Sequence, residues 1–101
     1  MIVLERQIQK VIPGKWTALE EIDKRFGVLE NKFDFPPKKR YQYIFGGQDT
    51  NTLIIERQWE SMAAFEETFT KVMASPEHRA LVAEMENIVS STQFEVLTPL
   101  P

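Results

Sequence analysis

Two arginines within a repeated tetrapeptide are the residues best suited to chemistry in this chain. The segment LERQ at Leu4–Gln7 returns as IERQ at Ile55–Gln58, about half a chain later. If Arg6 and Arg57 share one face of a sheet, their guanidinium groups can clamp a carboxylate or phenolate. Charges in central strands also need partners, so structural ion pairs are the interpretation that we favour. The acidic candidates are Glu20, Glu60, Glu66 and groups of a second subunit.

The single histidine, His78, is the candidate for moving a proton. It stands near the start of a predicted helical segment, on the apolar stripe that Leu81 and Met85 continue. Its imidazole would titrate near neutral pH, and a helix N-terminus disfavours the protonated form. A packed or rim histidine is the more common outcome at such a position. One histidine and no cysteine supply none of the familiar ligand spacings, so no metal site is expected.

Aromatic side chains are frequent enough to line a pocket for a planar ligand. The alternative is that they pack in an ordinary core, since they recur at strand and helix spacing. The candidate cleft residues are Arg6, Arg57, Trp16, Trp59, Tyr43, Phe69 and His78.

Composition restricts the class of protein. The 101 residues predict a single domain spanning 1–101, with 43% hydrophobic residues and a net charge of −3. The basic run Lys38–Arg40 is interpreted as a solvated loop, so no nucleic-acid partner is expected. No apolar stretch reaches membrane-spanning length and the first residues lack a signal-peptide layout, so we expect a cytoplasmic protein without a membrane partner.

The first half of the chain predicts a strand and a helix. Alternation favours a strand over Ile2–Val11, and apolar residues at spacings of three and four predict an amphipathic helix after Pro13-Gly14. Its stripe comprises Trp16, Leu19, Ile22, Phe26, Leu29 and Phe33, and Pro36-Pro37 ends it.

The second half predicts a hairpin, a divided helix and a last strand. Strands over 41–45 and Thr52–Trp59 are joined by a glycine-rich turn. Ser61 caps a helix, Ser75-Pro76 restarts it, and 93–97 forms the last strand. The predicted buried stripe of this helix comprises Met62, Phe65, Phe69, Val72 and Met73.

The order β-α-β-β-α-β predicts a ferredoxin-like α+β fold, a four-stranded antiparallel sheet with its helices on one face. From the repeat we assign Leu4, Arg6, Ile8, Ile55, Arg57 and Trp59 to the helix side. The open side would then carry Val3, Glu5, Gln7, Val11, Ile54, Glu56 and Gln58, with Glu5 and Glu56 in inter-subunit salt bridges rather than acting as bases. The orientation of Tyr41, Tyr43 and Phe45 stays open. A homodimer through the open face would cover this partly apolar surface.

Three segments carry a resemblance to a known family. Pro13–Lys15, the pattern W-x-S-x-x-A-F at Trp59–Phe65, and Ser75–Leu81 resemble the dimeric α+β barrel superfamily. Its antibiotic-biosynthesis-monooxygenase-like and NIPSNAP-like branches are the nearest. The resemblance implies a homodimeric barrel with a cleft between helices and sheet for a small organic ligand. Thr68 stands where the haem-degrading branch has a tryptophan, and the first strand has no asparagine, so no cofactor is expected.

Two functional hypotheses follow. The first is a homodimeric protein that binds a small organic ligand, with no demonstrable catalysis. The alternative is a cofactor-independent monooxygenase in which a phenolic or quinol-type substrate loses a proton and then reacts with dioxygen. His78, Arg6 and Arg57 would be the residues that act.

Overall fold

The computed structural model describes residues 1–101 as one antiparallel sheet and three helices. The strands are β1 (Val3–Val11), β2 (Lys38–Gln42), β3 (Thr52–Trp59) and β4 (Val89–Leu97), and the helices are α1 (Trp16–Lys32), α2 (Met62–Met73) and α3 (Pro76–Met85). The sheet order β2-β3-β1-β4 is the ferredoxin-like order, so the predicted fold class is confirmed. None of the helices is long and apolar enough to cross a membrane.

Two serine caps divide the second helical region as the sequence predicts. The Ser61 hydroxyl accepts a hydrogen bond from the Ala64 amide at 3.1 Å, and the Ser75 hydroxyl accepts one from the His78 amide at 3.4 Å. Pro76 has no amide hydrogen to donate and therefore fits only the first turn of a new helix. This division orients α3 separately and brings His78 to its first turn.

The helices cover one face of the sheet, and the core lies between the helices and that face. One cluster of buried apolar residues comprises Val11, Leu19, Ile22, Leu53, Ile55, Ile88 and Val89, and a second comprises Val3, Trp59 and Phe65. In both β1 and β3, the odd-numbered residues point toward the helices, because these are the residues that enter the two clusters.

Half of the face assignment made from the repeat is wrong. In the register of β1 and β3, Glu5 is opposite Arg57 and Arg6 is opposite Glu56. Directly opposed residues of antiparallel strands share a face. Ile55, Arg57 and Trp59 therefore face the helices as predicted, whereas the other three residues assigned to that side lie on the open face. These three residues are Leu4, Arg6 and Ile8. Conversely, four residues predicted on the open face lie on the helix side, namely Val3, Glu5, Gln7 and Val11.

The second strand begins earlier than predicted, and the basic run is part of it. Lys38 Nζ lies 2.6 Å from Asp23 Oδ1, and Arg40 donates to both carboxylate oxygens of Glu20 at 2.8 and 2.9 Å. The interpretation of Lys38–Arg40 as a solvated loop is therefore wrong, because acidic residues of α1 hold it in the sheet. Tyr41 is opposite Ile54, which places it on the open face.

Two further boundaries differ from the predictions. β4 begins at Val89 rather than Gln93, because it pairs with β1 along almost its whole length, with a register shift at Lys10 and Val11. Met62 and Met73 are exposed rather than buried, since they lie at the two ends of α2.

Candidate ligand cleft

A cavity of about 310 Å³ lies between the sheet and the helices. This volume is at the lower end of the range for small-molecule pockets, roughly 300 to 1,000 Å³. Its apolar walls include Leu19, Ile22, Phe26, Val72, Val82 and Phe94. Polar side chains of β1 and β3 form the opposite wall, which we call the polar floor and define as Gln7, Gln9 and Arg57. The cleft therefore combines apolar surface with a few fixed polar groups.

Arg57 is the buried cation of the polar floor. It is 3% exposed, its Nη1 lies 3.0 Å from Glu5 Oε2, and its Nη2 bonds Glu30 on α1. The guanidinium carbon lies 5.0 Å from the centroid of the Phe35 ring, within cation–π distance. Two carboxylates and an aromatic face thus fix the orientation of this side chain and neutralise its charge.

Glu5 lies beside the polar floor, on the same face of the sheet, and is fully buried. It accepts hydrogen bonds from Arg57, from Gln7 Nε2 at 2.8 Å and from Trp59 Nε1 at 2.9 Å. A buried carboxylate is tolerated when hydrogen-bond donors surround it in this way. The expectation that Glu5 forms an inter-subunit salt bridge is wrong, because its partners are within this chain.

Two polar atoms of the floor have no hydrogen-bond partner. Gln9 Nε2 donates to Gln7 Oε1 at 3.4 Å, which leaves Gln9 Oε1 unpartnered, and Arg57 Nε is also unpartnered. Gln9 is only 6% exposed. Most buried polar atoms in proteins are hydrogen-bonded, so these two atoms are exceptions within the residues that line the cavity.

Charged residues of α1 and β2 form one edge of the cleft. Lys38 Nζ lies between Asp23 and Glu30, at 2.6 and 3.1 Å from their carboxylates. Farther out, the hydrogen bonds from Arg40 lower the pKa of Glu20. No group of three or more histidine, cysteine or acidic side chains is arranged to hold a metal ion.

His78 lines the cleft from the first turn of α3. Its ring packs edge-on against Phe26, with the ring centroids 6.1 Å apart. Burial lowers the pKa of His78, and the negative charge of Glu30 opposes this shift without cancelling it. This shift favours the neutral imidazole, in which one ring nitrogen can accept a proton.

The aromatic candidates divide between the cleft and the core. Phe69 lines the cleft and packs against Phe65 with a centroid distance of 4.6 Å. Trp59 is buried behind it in the second core cluster. Trp16 packs against the first core cluster and donates from Nε1 to Asn51 Oδ1 at 3.1 Å. The prediction that Trp16 and Trp59 line the cleft is therefore wrong.

Two further candidates lie on the other side of the sheet. Arg6 and Tyr43 line a shallow depression of the open face, where Arg6 Nε lies 2.9 Å from Glu56 Oε2. They cannot act in the cleft, so a clamp formed by Arg6 and Arg57 is excluded. Of the seven cleft candidates, the structure brings together Arg57, Phe69 and His78.

Sequence reasoning missed several residues of the cleft. The alternation in β1 assigns Gln7 and Gln9 to the open face, whereas both line the cleft together with Glu30 and Phe35. A signal for the first two was present, because Glu5, Gln7 and Gln9 alternate with apolar residues in one strand. When polar and apolar residues alternate in a strand, the polar ones usually face solvent, so the sequence places these three residues on the open face.

The open face of the sheet carries apolar side chains that no segment of this chain covers. Leu4, Ile8, Tyr41, Tyr43, Ile54 and Leu97 lie there around the Arg6–Glu56 ion pair. Tyr41 is 48% exposed and Leu97 is 39% exposed. A group of uncovered apolar side chains of this kind is unusual for a sheet face in contact with water.

The sheet order and the one-sided helices define a ferredoxin-like α+β fold with a cleft between its two layers. No protein-family model matches the sequence, and no curated protein does. Several solved structures do resemble the fold. A NIPSNAP family protein from Agrobacterium tumefaciens matches with a TM-score of 0.81 at 13% identity, over 98% of this chain and 86% of that one.

Two other structures extend this comparison. A NIPSNAP-like domain protein from Burkholderia xenovorans matches with a TM-score of 0.81 at 15% identity, over 98% of this chain and 85% of that one. A variant of SnoaB, a cofactor-independent oxygenase from Streptomyces nogalater, matches with a TM-score of 0.71 at 12% identity, over 99% and 94%. At these identities the likeness concerns the fold, and at that level it confirms the resemblance seen in the sequence.

Proposed function

We propose that this protein is a homodimer that binds a small organic ligand in the cleft between its helices and its sheet. The observation that carries the proposal is the polar floor. Gln7, Gln9 and Arg57 occupy sheet positions that face the helices, where apolar core residues would give more stability. Polar groups kept at such positions beside a cavity are typical of a binding site, in which a few fixed groups orient a mostly apolar ligand.

The dimer is proposed from the composition of the open face. A monomer would leave the six apolar side chains of that face in water, beside an ion pair that holds no other partner. Pairing two such faces buries them and forms a closed barrel with the helices outside. The superfamily fold supports this arrangement, because a sheet covered on one side needs a second layer.

Blocking the cleft is expected to abolish ligand binding. Val82 lines the cleft and is 44% exposed, so Val82→Trp can place an indole in the cavity without disturbing the buried core. We expect compounds of one or two aromatic rings to raise the melting temperature of the wild-type protein. At one hundred times its dissociation constant, a ligand stabilises the fold by about 2.7 kcal/mol. Val82→Trp should weaken the binding of these compounds by at least about tenfold.

The matched control is Val28→Trp, since Val28 is a valine on α1 that is 73% exposed and does not line the cleft. It should bind as the wild-type protein does. Equal binding by Val82→Trp would contradict the proposed site, and a wild-type protein stabilised by no compound of a broad aromatic panel would contradict the proposed function.

A second candidate function is a cofactor-independent monooxygenase acting on a phenolic or quinol-type substrate. The position of His78 favours it, since a neutral imidazole beside an apolar cavity can accept a substrate proton. The resulting carbanion would then react with dioxygen. SnoaB, which shares the fold, is a cofactor-independent oxygenase. In this function Arg57, which lines the cleft, would contact the substrate, whereas Arg6 lies on the open face of the sheet and would not.

If this second function holds, His78→Ala should lower the rate of quinol-dependent oxygen consumption by about 10² to 10⁴. The base must be neutral, so the rate should fall as the pH falls through the lowered pKa of His78, below its ordinary value of 6.5. Arg79→Ala, at the neighbouring exposed position, is the control and should keep wild-type activity. A rate that is unchanged in His78→Ala would rule out His78 as the base.

A further inference from the structure

The charged groups of the cleft leave no cation free for an anionic ligand. Arg57 is paired with Glu5 and Glu30, and Lys38 is paired with Asp23 and Glu30. Arg40 also contacts Asp23 and is paired with Glu20, so four carboxylates face three cations and the local charge is slightly negative. The only other titratable group in the cleft is His78, whose imidazole burial keeps neutral.

Only Nε of Arg57 lacks a partner, so an anionic ligand would either bind there beside the carboxylates of Glu5 and Glu30 or compete with one of them for Nη1 or Nη2. Displacing Glu5 would leave a fully buried charge without its cation, and such an unpaired charge is strongly unfavourable. Displacing Glu30 would in addition disturb its contact with Lys38. The arrangement thus selects against ligands that enter the cleft already ionised as carboxylates or phenolates, although an arginine in a cleft at first suggests the opposite.

Glu5 also fixes the orientation of the two floor amides. An ionised carboxylate can only accept, so Gln7 must turn its Nε2 toward Glu5 and its Oε1 toward Gln9. Gln9 must then donate from its own Nε2 to Gln7. The atom left over is Gln9 Oε1, a buried acceptor without a partner. The ionised carboxylate of Glu5 therefore determines that Gln9 leaves an acceptor, rather than a donor, without a partner.

We infer that the cleft selects an uncharged aromatic ligand of one or two rings that donates a hydrogen bond to Gln9 Oε1. This inference rests on the proposed ligand-binding function and names the ligand class of the same site. The rings would lie against Phe26, Phe69 and Phe94, and a hydroxyl or N–H group would meet the acceptor. Such a donor satisfies an atom that would otherwise stay unbonded on burial.

Four naphthalene derivatives of similar size test the inference by calorimetric titration at pH 7. They are 2-naphthol, which is an uncharged donor, 2-methoxynaphthalene, which has no donor, 2-naphthoate, which is anionic, and naphthylmethylammonium, which is cationic. A phenolic hydroxyl stays protonated at this pH. We expect 2-naphthol to bind about tenfold more tightly than the methyl ether, and more tightly than either ion.

Gln9→Met removes the acceptor and keeps the side-chain length. In this variant 2-naphthol should lose its advantage over the methyl ether, because the acceptor that distinguishes them in the wild-type protein is gone. Gln48→Met, in the hairpin between β2 and β3, makes the same change at a residue that does not line the cleft, and it should keep the wild-type preference. The comparison among ligands in the wild-type protein stands even if Gln9→Met fails to fold.

The outcomes separate the inference from the proposed function. If 2-naphthoate, the ammonium compound or the methyl ether binds as tightly as 2-naphthol, the inferred ligand class is wrong while the cleft remains a binding site. A preference for 2-naphthol that persists in Gln9→Met would overturn the role of Gln9. If none of the four compounds binds the wild-type protein, both the proposed function and the ligand class fail.

Discussion

Replacing Glu5 by leucine is expected to lower the free energy of unfolding by about 3 to 5 kcal/mol. Three buried donors lose their acceptor at once: one nitrogen of Arg57, the side-chain amide of Gln7 and the indole nitrogen of Trp59. Arg57 keeps only Glu30 to balance its charge. Few single substitutions reach this size, and those that do leave a buried charge or polar group unpaired.

Urea denaturation followed by circular dichroism measures this loss. The control is Glu84→Leu, which breaks the exposed ion pair between Glu84 and Arg25 and should cost no more than about 1 kcal/mol. The double variant Glu5→Leu, Arg57→Leu removes both charges and should recover part of the lost stability. If Glu5→Leu costs as little as Glu84→Leu, Glu5 is not the buried acceptor described above.

Ile54→Lys is expected to convert the proposed dimer into a monomer. Ile54 lies in β3, an inner strand, and it is opposite Ile8 on one side and Tyr41 on the other. A lysine there would bring an ammonium group into the centre of the interface in both subunits, and Glu56 on the same face is already paired with Arg6. We expect the dimer dissociation constant to rise by at least about 100-fold, equivalent to about 2.7 kcal/mol.

Sedimentation velocity at micromolar concentration measures the change in assembly. Val28→Lys introduces the same charge on an exposed position of α1 and should leave the dimer intact. Unchanged far-ultraviolet circular dichroism would show that both variants fold. A wild-type protein that sediments as a monomer, or an Ile54→Lys variant that remains dimeric, would contradict the proposed interface.

Glu5 and Ile54 lie on opposite faces of the sheet, and the face predicted from the sequence is wrong for Glu5. The repeated tetrapeptide suggested that Leu4 and Ile55 are equivalent and share a face. Pairing instead sets Leu4 opposite Gln58, so a shift of one residue exchanges the faces of β1. Arg6 consequently lies on the open face, and Glu5 is buried on the helix side, next to the cleft.

The candidate site was predictable only in part. His78 and Phe69 lie on helices whose apolar stripes point to the sheet, and stripes can be identified from spacing alone. Arg57 belongs to the strand face that also carries Trp59, so its orientation followed from the alternation in β3. The binding role of all three stays a prediction. Gln9 was missed because a polar residue in a half-buried strand is normally assigned to solvent.

The amino-acid sequence by itself determined the order of strands and helices, the division of the second helix at Ser75-Pro76, and the sidedness of the helices. These features depend on periodicity, caps and prolines, which act between residues a few positions apart. Only the tertiary structure decided which face of β1 meets the helices and which carboxylates neutralise Arg57. Both depend on strand register and on pairs distant in sequence, such as Glu5 with Arg57, whose energies exist only once the sheet has formed.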